Sequence, residues 1–181
     1  HTNANVIITN GLTNYGYIYG GYGKSGVDVF NNKIHMSSGE VGRVHAGYND
    51  GDGNVYNNVM IMSGGESIKK NDSMRGYVIG GWTSKGDAHN NITIISNSTV
   101  DMVHGGTSDY GNSYDNSIVI NGGVNGTQAF AGAIIHGNGK CYNNIVEYNN
   151  EGGNFSLVTG GITQSGAGNA DSNTVIINSG T

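Results

Sequence analysis

The sequence predicts an all-β fold, a parallel β-helix (solenoid) of about six coils with 25–33 residues each. An Asn-Asn pair followed by alternating apolar residues returns along the chain, and a Val-x-Gly-Gly segment returns in the same register. Apolar spacing of the helical kind is missing. One repeat cannot bury its own apolar side chains, so neighbouring repeats must stack. We expect the coil to be right-handed, because left-handed hexapeptide coils have shorter and stricter periods.

The Asn pair is the first landmark, and its clearest copies begin at Asn31, Asn57 and Asn90. Side chains alternate across a strand, so the second residue of each pair has the same parity as the core. Stacked amides there can hydrogen-bond from coil to coil, whereas the alternative is a surface turn asparagine. In the first repeat the equivalent place falls on Ala4. The predicted column consists of Asn32, Asn58, Asn91, Asn116, Asn144 and Asn173.

Residues two and four positions after this column are nearly all apolar, and we assign them to the core. They are Val6, Ile8, Ile34, Met36, Met60, Met62, Thr93, Ile95, Ile118, Ile120, Val146, Tyr148, Val175 and Ile177. Residues one and three positions after it face outward by this parity and would be polar on a solvated sheet, but many are apolar. Either the parity is inverted in some repeats or an apolar stripe packs against another part of the parent protein, a second copy or a partner. Self-association is expected through Ile61, Ile94, Val119 and Ile176, and the stripe also includes Ile7, Val59, Ile92 and Ile145.

Aromatic residues supply the candidate binding site. Tyr22, Tyr48 and Trp82 follow the Gly-Gly segment in three consecutive repeats. They form either a platform for sugar rings or an internal stack, and unbroken alternation through the glycines favours the interior. A second column precedes the Asn pair and comprises Phe30, Tyr56, His89, Tyr114 and Tyr142.

The third repeat is the longest, and its extra residues lie around 66–75. Insertions in solenoids form protruding loops, which are often on the binding side. Lys69, Lys70 and Arg75 make this segment a candidate binding loop, and a plain surface excursion is the alternative.

Other classes of site receive little support. Net charge is −5 with no basic stripe, which argues against a nucleic-acid partner. Acidic residues fall at unrelated places in the repeat, with no column holding two of them, so we predict no catalytic residue and no enzyme.

Residues 49–54 resemble a calcium loop but lack its spacing, and His45 and His104 lie two repeats apart, so we predict no metal site. No motif indicates a cofactor, and the single cysteine, Cys141, takes a small inward-facing place.

The repeat resembles that of a known protein family. Residues 57–65, 78–82 and 86–91 look like the passenger repeats of large autotransporter (type V secretion) adhesins from Gram-negative anaerobes such as fusobacteria. The likeness covers essentially the whole chain, although residues 130–133 depart from the Val-x-Gly-Gly pattern. It implies an extracellular β-helical stalk, anchored at the bacterial outer membrane, that displays binding surfaces.

The function expected from this resemblance is a cell-surface adhesin or structural stalk segment. Its partners would be receptors or glycans on host cells or other bacteria. We expect residues 1–181 to be one β-helix segment of a longer repeat protein, because the chain begins and stops inside a repeat. The alternatives are a carbohydrate-active β-helix enzyme and a self-assembling extracellular fibre module.

Overall fold

A computed structural model describes residues 2–3, 5–68 and 75–180, and it confirms the predicted all-β solenoid. Every strand pairing in this part of the chain is parallel, and no helix occurs within it. Consequently no described helix is long and apolar enough to cross a membrane. The handedness of the coil stays a prediction.

Three parallel sheets run along the solenoid, and each coil contributes to all of them in turn. The short sheet contains β1 (Thr2–Asn3), β4 (Val29–Phe30), β7 (Val55–Tyr56), β11 (Ala88–His89), β14 (Ser113–Tyr114), β17 (Cys141–Tyr142) and β20 (Ala170–Asp171). The middle sheet contains β2 (Val6–Thr9), β5 (Lys33–Met36), β8 (Val59–Met62), β12 (Ile92–Ile95), β15 (Ser117–Asn121), β18 (Ile145–Asn150) and β21 (Thr174–Gly180). The long sheet contains β3 (Leu12–Lys24), β6 (Gly39–Asp50), β9 (Gly65–Ser67), β10 (Tyr77–Thr83), β13 (Ser98–Ser108), β16 (Asn125–Ile134) and β19 (Asn154–Thr163).

The Asn pair forms the corner between the short and middle sheets, and its two residues have different tasks. The first residue takes a left-handed backbone conformation, which Asn and Asp tolerate better than other side chains. The second points inward and is completely buried in five coils. The left-handed residues at this corner are Asn31, Asn57, Asn90, Asp115, Asn143 and Ser172, with φ between 52° and 57°.

Buried asparagine amides form a continuous ladder along the axis, as predicted. Asn58 donates from its amide nitrogen to Asn91 Oδ1 at 3.0 Å, and Asn91 donates to Asn116 Oδ1 at 3.1 Å. The same oxygens accept the backbone N–H of the preceding coil's asparagine, at 3.1 and 3.0 Å. Each amide also donates to a carbonyl of the short sheet, so the buried polar groups are satisfied.

The predicted core parity holds from the second coil to the sixth. Ile34, Met60, Ile118 and their equivalents are fully buried and pack on Val44 and other residues of the long sheet. Val175 and Ile177 keep the predicted register but lie on the exposed final strand.

The prediction for the first repeat was wrong by one residue. Asn5, one position after the predicted one, donates from its amide to Asn32 Oδ1, and Ile7 is the register partner of Ile34. Val6 and Ile8 are consequently 63% and 73% exposed, and Ile7 packs against the core. The first pair reads Asn-Ala-Asn, so the ladder residue could be placed at either of two positions.

The Gly-Gly segment lies within the strands of the long sheet. Val44 and Ala46 point into the core, and Gly47 faces the ladder, because a Cβ there would lie 2.6 Å from Asn58 Nδ2. Two consecutive residues thus point inward, and the alternation is broken at the same place in each coil. Glycine is required because the ladder amide occupies the space that a side chain would need.

A second column of side chains, which sequence reasoning missed, closes the corner before the short sheet. Asp28 Oδ1 accepts the backbone N–H of Asn54, and Asn54 Oδ1 accepts that of Asp87, both at 2.9 Å. Asp87 and Asn112 continue the pattern at 2.8 and 2.9 Å. The signal was present as Asp or Asn two residues before four of the five ring residues of the short sheet, and Lys140 takes this place before Tyr142.

Candidate functional site

The glycine pairs bend the long sheet so that its outer face is concave. Side chains three residues apart point to opposite faces of a regular strand. Here they meet on one face: the His45 and Tyr48 rings lie 5.2 Å apart, and those of Tyr19 and Tyr22 lie 5.4 Å apart. Every coil bends at the same register position, so the outer face becomes a groove parallel to the solenoid axis.

One end of this groove forms a cleft of about 310 Å³, which contains the predicted aromatic platform. Tyr22, Tyr48 and Trp82 are register partners on successive strands and all line the cleft. The prediction that these rings stack inside the solenoid was wrong. Both residues of each glycine pair point inward, so the alternation shifts by one and the aromatic residue that follows points outward. Tyr17 and Tyr19 complete the aromatic lining.

The floor of the cleft is His45. The ring lies 5.5 Å from Tyr19 and 5.9 Å from Trp82, and only 2% of the residue is exposed. Neither ring nitrogen has a hydrogen-bond partner in the described part of the chain. Unpartnered buried polar atoms are costly in a folded protein, so the two His45 nitrogens are an unusual feature of the cleft floor.

Two carboxylates line the side of the cleft that lies beyond the bend. Asp50 ends β6, and Asp109 follows β13 two coils further on, with Ser84 between them in register. Burial raises the pKa of Asp109, and a hydrogen bond from the Trp82 indole offsets this only in part. Asp109 Oδ1 is buried and has no partner among the described residues.

The prediction that acidic residues share no column is therefore wrong. Asp50 and Asp109 occupy one column, and Glu40 and Glu66 are direct register partners on β6 and β9. The unequal repeat lengths concealed both columns, because counting residues from the Asn pair does not align the long sheet.

Of the predicted binding loop, Arg75 lies within the described residues. Lys69 and Lys70 lie outside the described residues. Arg75 is exposed, and its carbonyl accepts Nε–H of Arg43, which lines the cleft. The insertion thus rejoins the long sheet beside the groove.

The second aromatic column forms a ladder on the outer face of the short sheet. Neighbouring rings lie 4.8 to 5.0 Å apart and within 5° of parallel. This stacking covers the ring faces between neighbours and leaves mainly ring edges on the outside. Its members are Phe30, Tyr56, His89, Tyr114 and Tyr142.

The predicted apolar stripe lies on the outer face of the middle sheet. Ile61, Ile94 and Val119 are register partners on three successive strands and are partly exposed. Ile176 lies two coils further on and is 40% exposed, with Glu147 between it and Val119. Self-association through this stripe stays a prediction.

The remaining candidate residues are structural. Cys141 is buried in one column with Ser113 and Ala170, and burial raises the pKa of its thiol to about 11. In residues 49–54, Asp52 accepts the Gly26 N–H, and the buried Asn49 amide donates to backbone carbonyls. His, Cys, Asp and Glu do not form a metal-binding group of three or more within the described ranges.

The buried histidines make the stability of the fold depend on pH. Burial lowers the pKa of His104 to about 3, and burial together with Arg43 lowers that of His45 to about 3. The unfolded chain takes up these protons near pH 6.5. The two histidines therefore do not lower the free energy of unfolding above about pH 6.5. As the pH falls from there toward 3, each of them lowers it by about 1.4 kcal/mol per pH unit.

His104→Phe tests this pH dependence. Phe130 occupies the same column in the next coil, so a phenyl ring suits the site. Between pH 6.5 and 4 the free energy of urea unfolding of the variant should fall less steeply than that of the wild type, by about 1.4 kcal/mol per pH unit. Identical slopes for the two proteins would contradict the assignment of His104 as a buried neutral group.

Comparison with protein-family models, with curated proteins and with solved structures finds no match to this chain.

Proposed function

We propose that this chain is a segment of a bacterial cell-surface adhesin and that the long sheet binds a glycan in its cleft. The observation that supports this most strongly is the convergence of aromatic rings, two carboxylates and an unpartnered imidazole on one concave face. Aromatic rings suit the apolar C–H faces of sugars, and a few placed polar groups suit their hydroxyls.

His45 adds a chemical reason for a polyol ligand. The neutral imidazole has one N–H donor and one nitrogen acceptor, and neither has a partner. A sugar hydroxyl both donates and accepts, so it can satisfy either nitrogen. The carboxylate of Asp109, which lines the cleft, adds a further acceptor for a hydroxyl group.

An adhesin role also agrees with the form of the molecule. Stacked coils give a stiff rod whose length grows with the number of repeats, which suits display of a binding surface away from a membrane. The resemblance of the repeat to autotransporter passenger domains supports an extracellular location and a receptor or glycan on another cell as the partner.

A polysaccharide hydrolase is the second candidate, because Asp50 and Asp109 line the same cleft. Two coils separate them, about 9.6 Å at the usual spacing between strands. The carboxyl groups of inverting glycosidases lie about 6.5–9.5 Å apart, so strands at this spacing can carry such a pair, and a raised pKa suits the acid, here Asp109. Release of reducing ends from a polysaccharide panel, abolished by Asp109→Asn, would support the hydrolase; no release would favour simple binding.

A glycan array with three variants tests the binding proposal. Tyr48→Ala and Trp82→Ala should each weaken binding at least about tenfold, because each removes an aromatic face from the cleft. Tyr114→Ala is the matched control, since it removes a tyrosine of the short-sheet ladder and should bind like the wild type. An array without any bound glycan, or equal losses in all three variants, would contradict the proposal.

A further inference from the structure

Arg43 is fixed at the end of the cleft opposite the carboxylates. Its guanidinium carbon lies 5.4 Å from the centre of the Tyr17 ring and 4.8 Å from that of Tyr77. The two rings belong to the neighbouring coils, so they sandwich the cation between them. A guanidinium held in this way loses little side-chain freedom on binding a ligand.

The charge of Arg43 is not neutralised within the described part of the chain. Its partners there are the two rings and the Arg75 carbonyl, which accepts Nε–H at 3.4 Å. None of these contacts is a hydrogen bond from the four N–H groups of the two terminal nitrogens. Covering an unpaired cation with a neutral ligand is costly, whereas a carboxylate compensates for the lost water.

The two ends of the cleft consequently carry opposite charges. Arg43 and Asp50 lie on β6 on opposite sides of the bend, and Asp109 lies on the same side as Asp50. One end therefore attracts an anionic group, and the other accepts hydroxyl donors. The aromatic rings of Tyr19 and Tyr48 lie between them, 5.0 Å apart.

We infer that the cleft selects an acidic glycan, one with a uronate-type or sialate-type carboxylate that Arg43 holds through paired N–H bonds. This inference rests on the proposed glycan-binding function and specifies its ligand class. The sugar ring packs on the tyrosines, and its hydroxyls donate to the two aspartates. Arg43 is thus a specificity-determining residue, because it separates carboxylated from neutral sugars.

A paired array tests the inference: each uronate- or sialate-terminated glycan is printed beside its carboxyl-reduced form, in which the carboxylate has become a neutral hydroxymethyl group. The wild type should bind the carboxylated form roughly 10- to 100-fold more tightly, the factor expected of charge-assisted bonds. Arg43→Gln should lose this preference. Lys33→Gln is the control, since it removes one positive charge from an exposed site on the middle sheet.

The outcomes separate this inference from the proposed function. Equal binding of the two forms, still weakened by Tyr48→Ala, would overturn the acidic-glycan inference and leave glycan binding intact. Binding of no glycan would overturn both. If Arg43→Gln does not fold, Arg43→Lys replaces it: it keeps the charge without the planar fork, and it should lose most of the preference. Full preference in a folded Arg43→Lys or Arg43→Gln variant would contradict the role of Arg43.

Discussion

Replacing Asn91 by alanine is expected to destabilise the solenoid by about 2–5 kcal/mol, a large effect for one polar residue. Asn91 Oδ1 accepts the backbone N–H and the amide N–H of Asn58, at 3.1 and 3.0 Å. Its own amide donates to the Val55 carbonyl at 2.9 Å and to Asn116 Oδ1 at 3.1 Å. Alanine leaves the buried backbone N–H of Asn58 without an acceptor, and a buried orphan donor costs the full loss of its hydration.

Urea unfolding measures this loss, and hydrogen exchange locates it. The backbone amide of Asn58 should lose protection in the Asn91→Ala variant, whereas amides several coils away should change less. Asn138→Ala is the matched control: this asparagine is exposed and accepts one N–H from Ala167 at 2.8 Å, so its loss should cost less than about 0.5 kcal/mol. Equal costs for the two variants would show that the amide ladder does not stabilise the fold.

Gly106→Ala is the second substitution for which we expect a large effect, about 1–3 kcal/mol. A Cβ at this position would lie 2.3 Å from Cγ and Oδ1 of Asn116, so the ladder amide or the strand must shift. Gly122→Ala is the control, because its nearest neighbour would be a carbonyl oxygen at 3.2 Å. Urea unfolding of both variants provides the comparison.

A double-mutant cycle shows whether the cost of Gly106→Ala comes from the ladder. In an Asn116→Ala background the added methyl group no longer meets an amide, so Gly106→Ala should cost about 0.5–3 kcal/mol less than in the wild type. Strict additivity of the two substitutions would mean that the glycine serves some purpose other than making room for Asn116.

The sequence was sufficient to predict the architecture because two landmarks returned in one register. Asn32, Asn58 and Asn91 could be aligned without coordinates, and strand alternation then identified Met60 and Ile118 as core residues. The first repeat failed because Asn3 and Asn5 flank an alanine, so the motif alone does not decide which one stacks. Asn31 has a left-handed φ, which explains why a second asparagine precedes the ladder residue. The sequence alone does not reveal this corner geometry.

The candidate site was only partly predictable. Tyr48 and Trp82 could be identified as neighbours, but their outward direction depends on the two consecutive inward residues at each glycine pair, such as Ala46 and Gly47. Period-two alternation cannot anticipate such a bend. Arg43 had no distinguishing sequence signal either, because its position between Tyr17 and Tyr77 depends on alignment across a repeat that contains the insertion.

Trp82 fluorescence shows whether the bent long sheet binds a glycan against its aromatic rings. Trp82 is the single tryptophan of the chain, so its emission reports on the cleft alone. Titration with a glycan that the wild type binds on the array should change the emission saturably, with the same dissociation constant that calorimetry gives. If calorimetry detects binding, Trp82 emission does not change and Tyr48→Ala binds as tightly as the wild type, then the ligand lies elsewhere and the cleft is not the glycan site.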